Sequence, residues 1–480
     1  MSETAFVSTA IPYVNAKPHI GFGFELIQTD AYARYLRLTG RDTFFLTGTD
    51  ENSLKNVRAA QEQGITTEEL CERNSETYRE LLGVLDISAD YFIRTSVDPL
   101  HLKGAQALWS RCKPEDIYKR HYSGLYCVGC EDFYTEKDVP DGICPDHKTP
   151  LERVEEENYF FRLSAYQDQI LDLLESGRLR VIPNSKRNEM LSFVKGGLQD
   201  FSISRSRERA GNWGIPVPGD PGQVMYVWYD ALANYVTALQ LADEGPLLEK
   251  YWTGSHKKTH VIGKGVNRFH TVYWPAMLLS AGLPVPEQVF VHGYITINGQ
   301  KISKSLGNVI DPVSQVEQYG VDAVRYYLLR AVSPYEDGDF SETRFKEVYN
   351  ADLANNLGNL ARRIETLAVK AGYAAPPEET PSAPAGFREA MDDFRFNDAL
   401  ATLWSLATVM NGRIEEVKPW ELAKQGRDAE LKVFLDEMVL GVRVIAHWLQ
   451  PFLPGTAAKL TALFKEGPVE RGEPLFPRLV

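Results

Sequence analysis

The chain has no long apolar run. Nothing in its 480 residues approaches the ~20 consecutive apolar residues that a membrane-spanning helix needs. Its opening, "MSETAFVSTAIPYVN", lacks the basic start and apolar core of a secretory signal, so a soluble, cytoplasmic protein without membrane contacts is expected. Cysteine is scarce and odd in number, with five residues, of which Cys127, Cys130 and Cys144 lie close together. That distribution argues against a disulfide framework and for a metal site in a reducing compartment. Positive charge is also short: 52 Lys and Arg face 65 Asp and Glu, a net charge of -13. A general nucleic-acid binder, whose affinity rests on neutralising phosphates, is thereby disfavoured, although a local basic track is compatible with an acidic body. Internal repeats are absent as well.

What is present is a chain that is 44% hydrophobic, long enough for roughly two to four domains with large cores. "TAFVSTAIPYV" and "DTFFLTGTDEN" read as short buried strands ended by turn residues. Between them "FELIQTDAYARYLRLTG" has helical periodicity and a C-cap candidate in Gly40. Strand, helix, strand opens a parallel α/β sheet. From about 116 to 225, cysteines, prolines and short strands break the rhythm like an insertion. "THVIGKGVNRFHTVYWPAMLLSAG" restores it, and Asn298-Gly299 marks a hairpin turn. Beyond about 341 the pattern is nearly all helical, interrupted by the Pro/Ala-rich loop "AGYAAPPEETPSAPAG".

Three constellations carry chemistry. "PHIGF" places His19 and Gly21 in a turn between strand and helix, where free N–H groups and the helix dipole can receive phosphate. Taken alone, such a turn fits a packed or solvated histidine better than a phosphate site. "KISKSLGN" sets Lys301 and Lys304 around Ser303, two ammonium groups able to clamp a polyphosphate, or simply a solvated basic loop. Cys127, Cys130, Cys144 and His147 have the spacing C-x2-C-x13-C-x2-H, which suits a closed, tetrahedral structural zinc ion. Such a site contributes ~10 kcal/mol or more to a module too small for a core.

The first two motifs, in this order and on these elements, resemble the His-Ile-Gly-His and Lys-Met-Ser-Lys-Ser pair of class I aminoacyl-tRNA synthetases. "PYVNAKPHIG", "FFLTGTDEN", "GLYCVGCEDFYTE", "DFSISR", "WGIPVP", "YVWYDALANYV", "DAVRYYLLR", "KPWELAK" and the terminal "LFPR" extend the resemblance to the methionyl-tRNA synthetase family over essentially the whole chain. The resemblance implies a Rossmann-like parallel-sheet catalytic domain, split into 1–115 and 226–290 by a connective domain at 116–225 with a zinc knuckle. It further implies a KISKS-loop and stem-contact region at 291–340, and a helical anticodon-binding domain at 341–480 whose tail folds back.

The implied reaction has two steps, ATP-dependent formation of methionyl-adenylate and transfer of the methionyl group to the 3′ end of tRNA(Met). His19 and Lys304 would stabilise the transition state and Lys301 the pyrophosphate, with Mg²⁺ accompanying ATP. His19, Gly21, Glu25, Gly263, Lys301, Ser303 and Lys304 would bind ATP. Ile11, Tyr13, Asp50, Trp228, Ala231, Tyr235 and His270 would bind methionine, Asp50 taking the ammonium. Asn411 would read an anticodon base. No appended dimerisation module follows "LFPR", so a monomer is expected.

The pattern departs from the family in four places. Phe22 replaces the second histidine of the first motif, a donor of a kind worth ~3 kcal/mol in a transition state. "GTDENS" stands for "GTDEHG", Gly265 for the aspartate of "GKD", and the usual tryptophan before "LFPR" is missing. Two other readings follow from these departures: a paralogue that hands its adenylate to another acceptor, and a non-catalytic tRNA-binding regulator.

Overall fold

The computed structural model describes residues 3–127, 132–134, 139, 141–145, 148–302 and 309–479. Cys130, His147, Ser303 and Lys304 therefore lie outside the described residues, and for Lys301 only the backbone is described.

Contacts divide the chain into two compact units. The first comprises Met1–Pro18, Gly40–Gly83 and Ile87–His292. At its centre is a six-stranded parallel sheet in the order Tyr91–Arg94, Asp42–Thr49, Thr4–Thr9, Lys258–Gly263, Gln288–His292, Arg180–Ile182. We call Thr4–Thr9 β1, Asp42–Thr49 β2 and Tyr91–Arg94 β3. The runs read as buried strands are so because both faces are covered: all but the first residue of β1 and of β2 are buried. Gly48 is required by this packing, since a Cβ there would lie 2.1 Å from the carbonyl oxygen of Ile93 in β3. The edge strand Arg180–Ile182 comes from inside the stretch that reads as an insertion. The rest of that stretch includes an antiparallel sheet in the order Asp132–Tyr134, Ile117–Cys127, Glu152–Phe161, Phe201–Ser202.

The second unit comprises His19–Thr39, Val84–Asp86 and Gly293–Val480. It contains α1 (Ile20–Leu38), the helix that links β1 to β2 in sequence, followed by Gly40 with φ 91°. Polar Gln28, Thr29 and Asp30 of α1 are buried along with its apolar residues. Asp30 is held by Arg34 at 2.8 Å and by the fully buried Arg325 at 2.6 Å. Arg325 sits on helix Val321–Arg330 and donates to the carbonyls of Leu85, Pro451 and Phe452, tying three segments to one guanidinium. The Asn298-Gly299 turn joins Ile295–Ile297 to Gln300–Lys301 with φ values of 50° and 76°, the left-handed pair that a two-residue hairpin needs. Helices Phe396–Val417 and Asp428–Leu449 dominate the C-terminal region. The tail returns to helical residues of this unit: Leu479 exchanges two hydrogen bonds with Asn350, and Phe476 meets Tyr349 edge to face. Among the described residues, no helix is long and apolar enough to cross a membrane.

Candidate active site

In the first unit, β1 and β2 end side by side and their pairing continues one step into the loops. Asp50 N–H donates to the Pro12 carbonyl at 2.8 Å, and Tyr13 bridges Asp50. The carboxyl ends of parallel strands are where open α/β sheets bind ligands. Tyr13 meets Trp228 edge to face at 6.3 Å, and Lys55 stands 4.4 Å over the Tyr13 ring. Trp228 begins the pocket helix Val227–Thr237 and stacks on Phe269 with ring centroids 3.8 Å apart. Ala231, one turn on, is buried, and Ile11 packs against the same core.

The floor of this pocket is polar but neutral. Tyr235 Oη lies 2.6 Å from His270 Nε2, and His270 Nδ1 lies 2.9 Å from the Val266 carbonyl. A carbonyl only accepts, so the ring proton is assigned to Nδ1 and Tyr235 donates to Nε2. Burial pushes the His270 imidazole down to about 4, which keeps it uncharged. Behind Tyr235 lies His260, its ring centroid 4.1 Å from the tyrosine's. Trp274 Nε1–H donates to His260 Nε2, so His260 Nδ1–H faces Ser8 Oγ at 2.8 Å. Burial, with His270 and Lys258 nearby, lowers its affinity for a second proton as well. The cluster is thus apolar rings around uncharged histidines, and Asp50, 1% exposed, adjoins it through Tyr13.

The second unit carries the other group of candidates. His19 is the N-cap of α1, with its side-chain Nδ1 accepting the Gly21 N–H at 3.1 Å. A Cβ at Gly21 would come within 2.9 Å of the His19 ring and would turn the ring away from the Gly21 N–H. The imidazole is exposed, and Glu25 is buried on the same helix. Phe22 is buried too, so it serves packing and adds no polar group at the helix start. Lys301 extends the hairpin strand opposite Thr296, and Gly263 is half-buried at the carboxyl end of its sheet strand in the first unit.

The structure thus joins Tyr13, Asp50 and Trp228 on one side, and Tyr235 with His270 on the other, within one unit. Phe269, stacked on Trp228, and His260, against Tyr235, belong to the same cluster and were not singled out in the sequence. His260, a lone histidine in the buried strand "KTHVIG", was the available signal.

Of the four proposed zinc ligands, Cys127 and Cys144 are described, and both thiols are buried. Cys127 ends its strand opposite Asp132, and Cys144 opens a tight turn in which its carbonyl accepts the Lys148 N–H. Two buried free thiols, neither in a disulfide, fit a zinc site. Among the described residues, no group of three or more ligating side chains forms. Asn411 lies on Phe396–Val417 with its amide donating to Asn356 Oδ1 at 3.0 Å.

Comparison with known proteins decides the family. The family model described as tRNA synthetases class I (M) matches residues 5–154 and 147–365. The chain belongs to the methionine-type class I tRNA synthetases. Among these synthetases, the methionine–tRNA ligase of Thermotoga maritima is 41% identical, the match covering 99% of this chain and 80% of the relative. That of Brucella suis is 44% identical, over 95% of this chain and 91% of the relative. A solved structure of the Mycobacterium tuberculosis synthetase in complex with methionyl-adenylate superposes with a TM-score of 0.92. It is 38% identical and covers 99% of this chain and 100% of its own.

Proposed function

We propose that this chain is an aminoacyl-tRNA ligase that activates methionine with ATP and transfers it to the 3′ end of tRNA(Met) in protein synthesis. The observation that carries the reading is the neutral, aromatic chamber of Trp228, Tyr235 and His270 beside the buried Asp50, in a chain of this family. Methionine's thioether enters the chamber, and its ammonium pairs with Asp50. A carboxylate oxygen of methionine attacks the α-phosphorus of ATP; that bond forms as the bond to the bridging oxygen breaks, and pyrophosphate leaves. A ribose hydroxyl of the terminal adenosine then attacks the acyl carbon and releases AMP.

Little covalent chemistry falls to the protein, so its work is positioning and charge stabilisation. His19 and the positive end of the α1 dipole meet the phosphates, assisted by Gly21, Gly263, Lys301, Ser303 and Lys304, and Glu25 contacts the adenosine. Mg²⁺ accompanies ATP and screens its phosphates. Cys127, Cys130, Cys144 and His147 hold one structural zinc ion in the connective module at 116–225. The 341–480 region faces the anticodon through Asn411, and the enzyme works as a cytoplasmic monomer.

The decisive experiment is methionine-dependent charging of an unfractionated tRNA pool, with the charged species identified. Charging of initiator and elongator methionine tRNAs is expected. Methionine-dependent pyrophosphate exchange without charging would move the acceptor elsewhere, and absence of both would overturn the reading. Elemental analysis should find one zinc per chain, lost in the Cys127→Ser variant.

A further inference from the structure

Between Trp228 and Ala231, Asp230 is fully buried in the first turn of the pocket helix. Burying a carboxylate is costly unless donors replace the lost water. Here Asn52 Nδ2–H donates to Oδ2 at 2.7 Å, and the fully buried His101 places Nε2 2.5 Å from Oδ1. The far side of the His101 ring faces Thr237 Oγ1 at 2.9 Å, at the other end of the same helix. His101 thus spans the helix from first turn to last. Asn52 is two residues beyond Asp50, and its amide also reaches the Thr95 carbonyl at 3.2 Å, while the Glu51 N–H donates to Thr95 Oγ1 at 2.8 Å. The loop carrying Asp50 is therefore pinned on one side to the segment after β1 through Pro12 and on the other to the pocket helix through Asp230.

We propose that Asn52 and Asp230 are positioning residues of the methionine site, their hydrogen bond setting the distance between the Asp50 carboxylate and the Trp228–Ala231–Tyr235 wall. The inference rests on the assignment of that pocket to methionine. An amino acid is held at two points, an ammonium and a side chain, and only a fixed separation rewards one chain length over its neighbour. Asn52 stands where the family usually has histidine, so this chain makes the tie with an amide.

The test is a reciprocal exchange read by pyrophosphate exchange. In the single variants Asn52→Asp and Asp230→Asn, two carboxylates or two amides face each other. The Michaelis constant for methionine should rise about tenfold or more in the first and severalfold in the second, with that for ATP within about twofold of wild type. In the double variant the donor and acceptor change places, and His101 still meets an oxygen at position 230. It should bind methionine at least about fivefold better than Asn52→Asp, the recovery held back by the bond lost to Thr95. A double variant no better than the worse single one overturns the inference. So do single variants with an unchanged methionine constant. If Asn52→Asp does not fold, Asn52→Ala removes the donor alone, and its methionine constant must rise severalfold or the inference fails. Wild type is measured first: no methionine-dependent exchange there overturns the functional reading, and this inference with it. Normal exchange in wild type with unaffected variants overturns this inference alone.

Discussion

The chamber around Tyr235 and the start of α1, proposed for opposite kinds of chemistry, are built in opposite ways. In the chamber, ring lies against ring, both histidines are buried and uncharged, and the polar atoms of Tyr235, His270 and His260 have fixed partners. At the start of α1 an exposed histidine caps the helix, and the first N–H groups are taken up within the chain, Ile20 by the Ile310 carbonyl, Gly21 by the His19 ring, Phe22 and Gly23 by the His19 carbonyl, which leaves the helix dipole. Selecting a thioether requires shape and the absence of charge, which close packing provides. Stabilising a charge that develops only during reaction requires oriented dipoles where phosphate can reach them. Damage to the chamber should therefore appear in methionine binding, and damage to α1 in turnover.

The largest effect should come from removing what holds α1. Arg325→Met takes from the buried Asp30 its fully buried guanidinium partner and leaves Arg34. Loss of a buried pair costs about 3–5 kcal/mol, and the lower end is expected because Arg34 remains. Thermal unfolding should show a lowered first transition, partly restored by adding Asp30→Asn. Next is His19→Ala, which should lower kcat for pyrophosphate exchange by ~10²–10³ while leaving the methionine constant within about twofold. A changed methionine constant with unchanged kcat would erase the contrast between the two regions.

His270 gives the chamber an acid limit. Its folded value of about 4 lies below the ordinary 6.5, so between these values the unfolded chain binds the proton that the native state refuses. The stabilisation is complete above pH 6.5, is lost as pH falls toward 4, and levels off below, a change on the order of 3 kcal/mol. The unfolding midpoint of His270→Gln should fall less steeply with acid than that of wild type. Smallest is Tyr235→Phe, which leaves His270 Nε2 without its donor. About 1–3 kcal/mol of local cost should appear as a several-fold higher methionine constant with kcat preserved.

Local patterns in the sequence correctly indicated β1, β2, the helix ending before Gly40 and the turn at Asn298-Gly299, because each is set by neighbours a few residues away. The strand Arg180–Ile182 was hidden: three residues give no periodicity, and its partner Gln288–His292 lies far along the chain. Asp50, Trp228, Tyr235 and His270 came from family resemblance, since an aromatic helix reads as core until its partners are known. The Asp230 junction was invisible for the same reason, its donors being 178 and 129 positions away. Phe22 looked like a lost donor and is also a packed ring, something only burial reveals.

The guanidinium of Arg325 has a mechanical consequence. It is one planar group gripping Asp30 in the middle of α1 and the carbonyls of Pro451 and Phe452 just past helix Asp428–Leu449. A flat fork bonded along several directions resists twisting as well as pulling. Helix α1 with His19 at its tip, and the turn after that C-terminal helix, thus behave as the two arms of a bell crank with Arg325 as its pin. A tilt imposed at residues 451–452 would bear on α1 through this one group, and softening the pin would uncouple the arms.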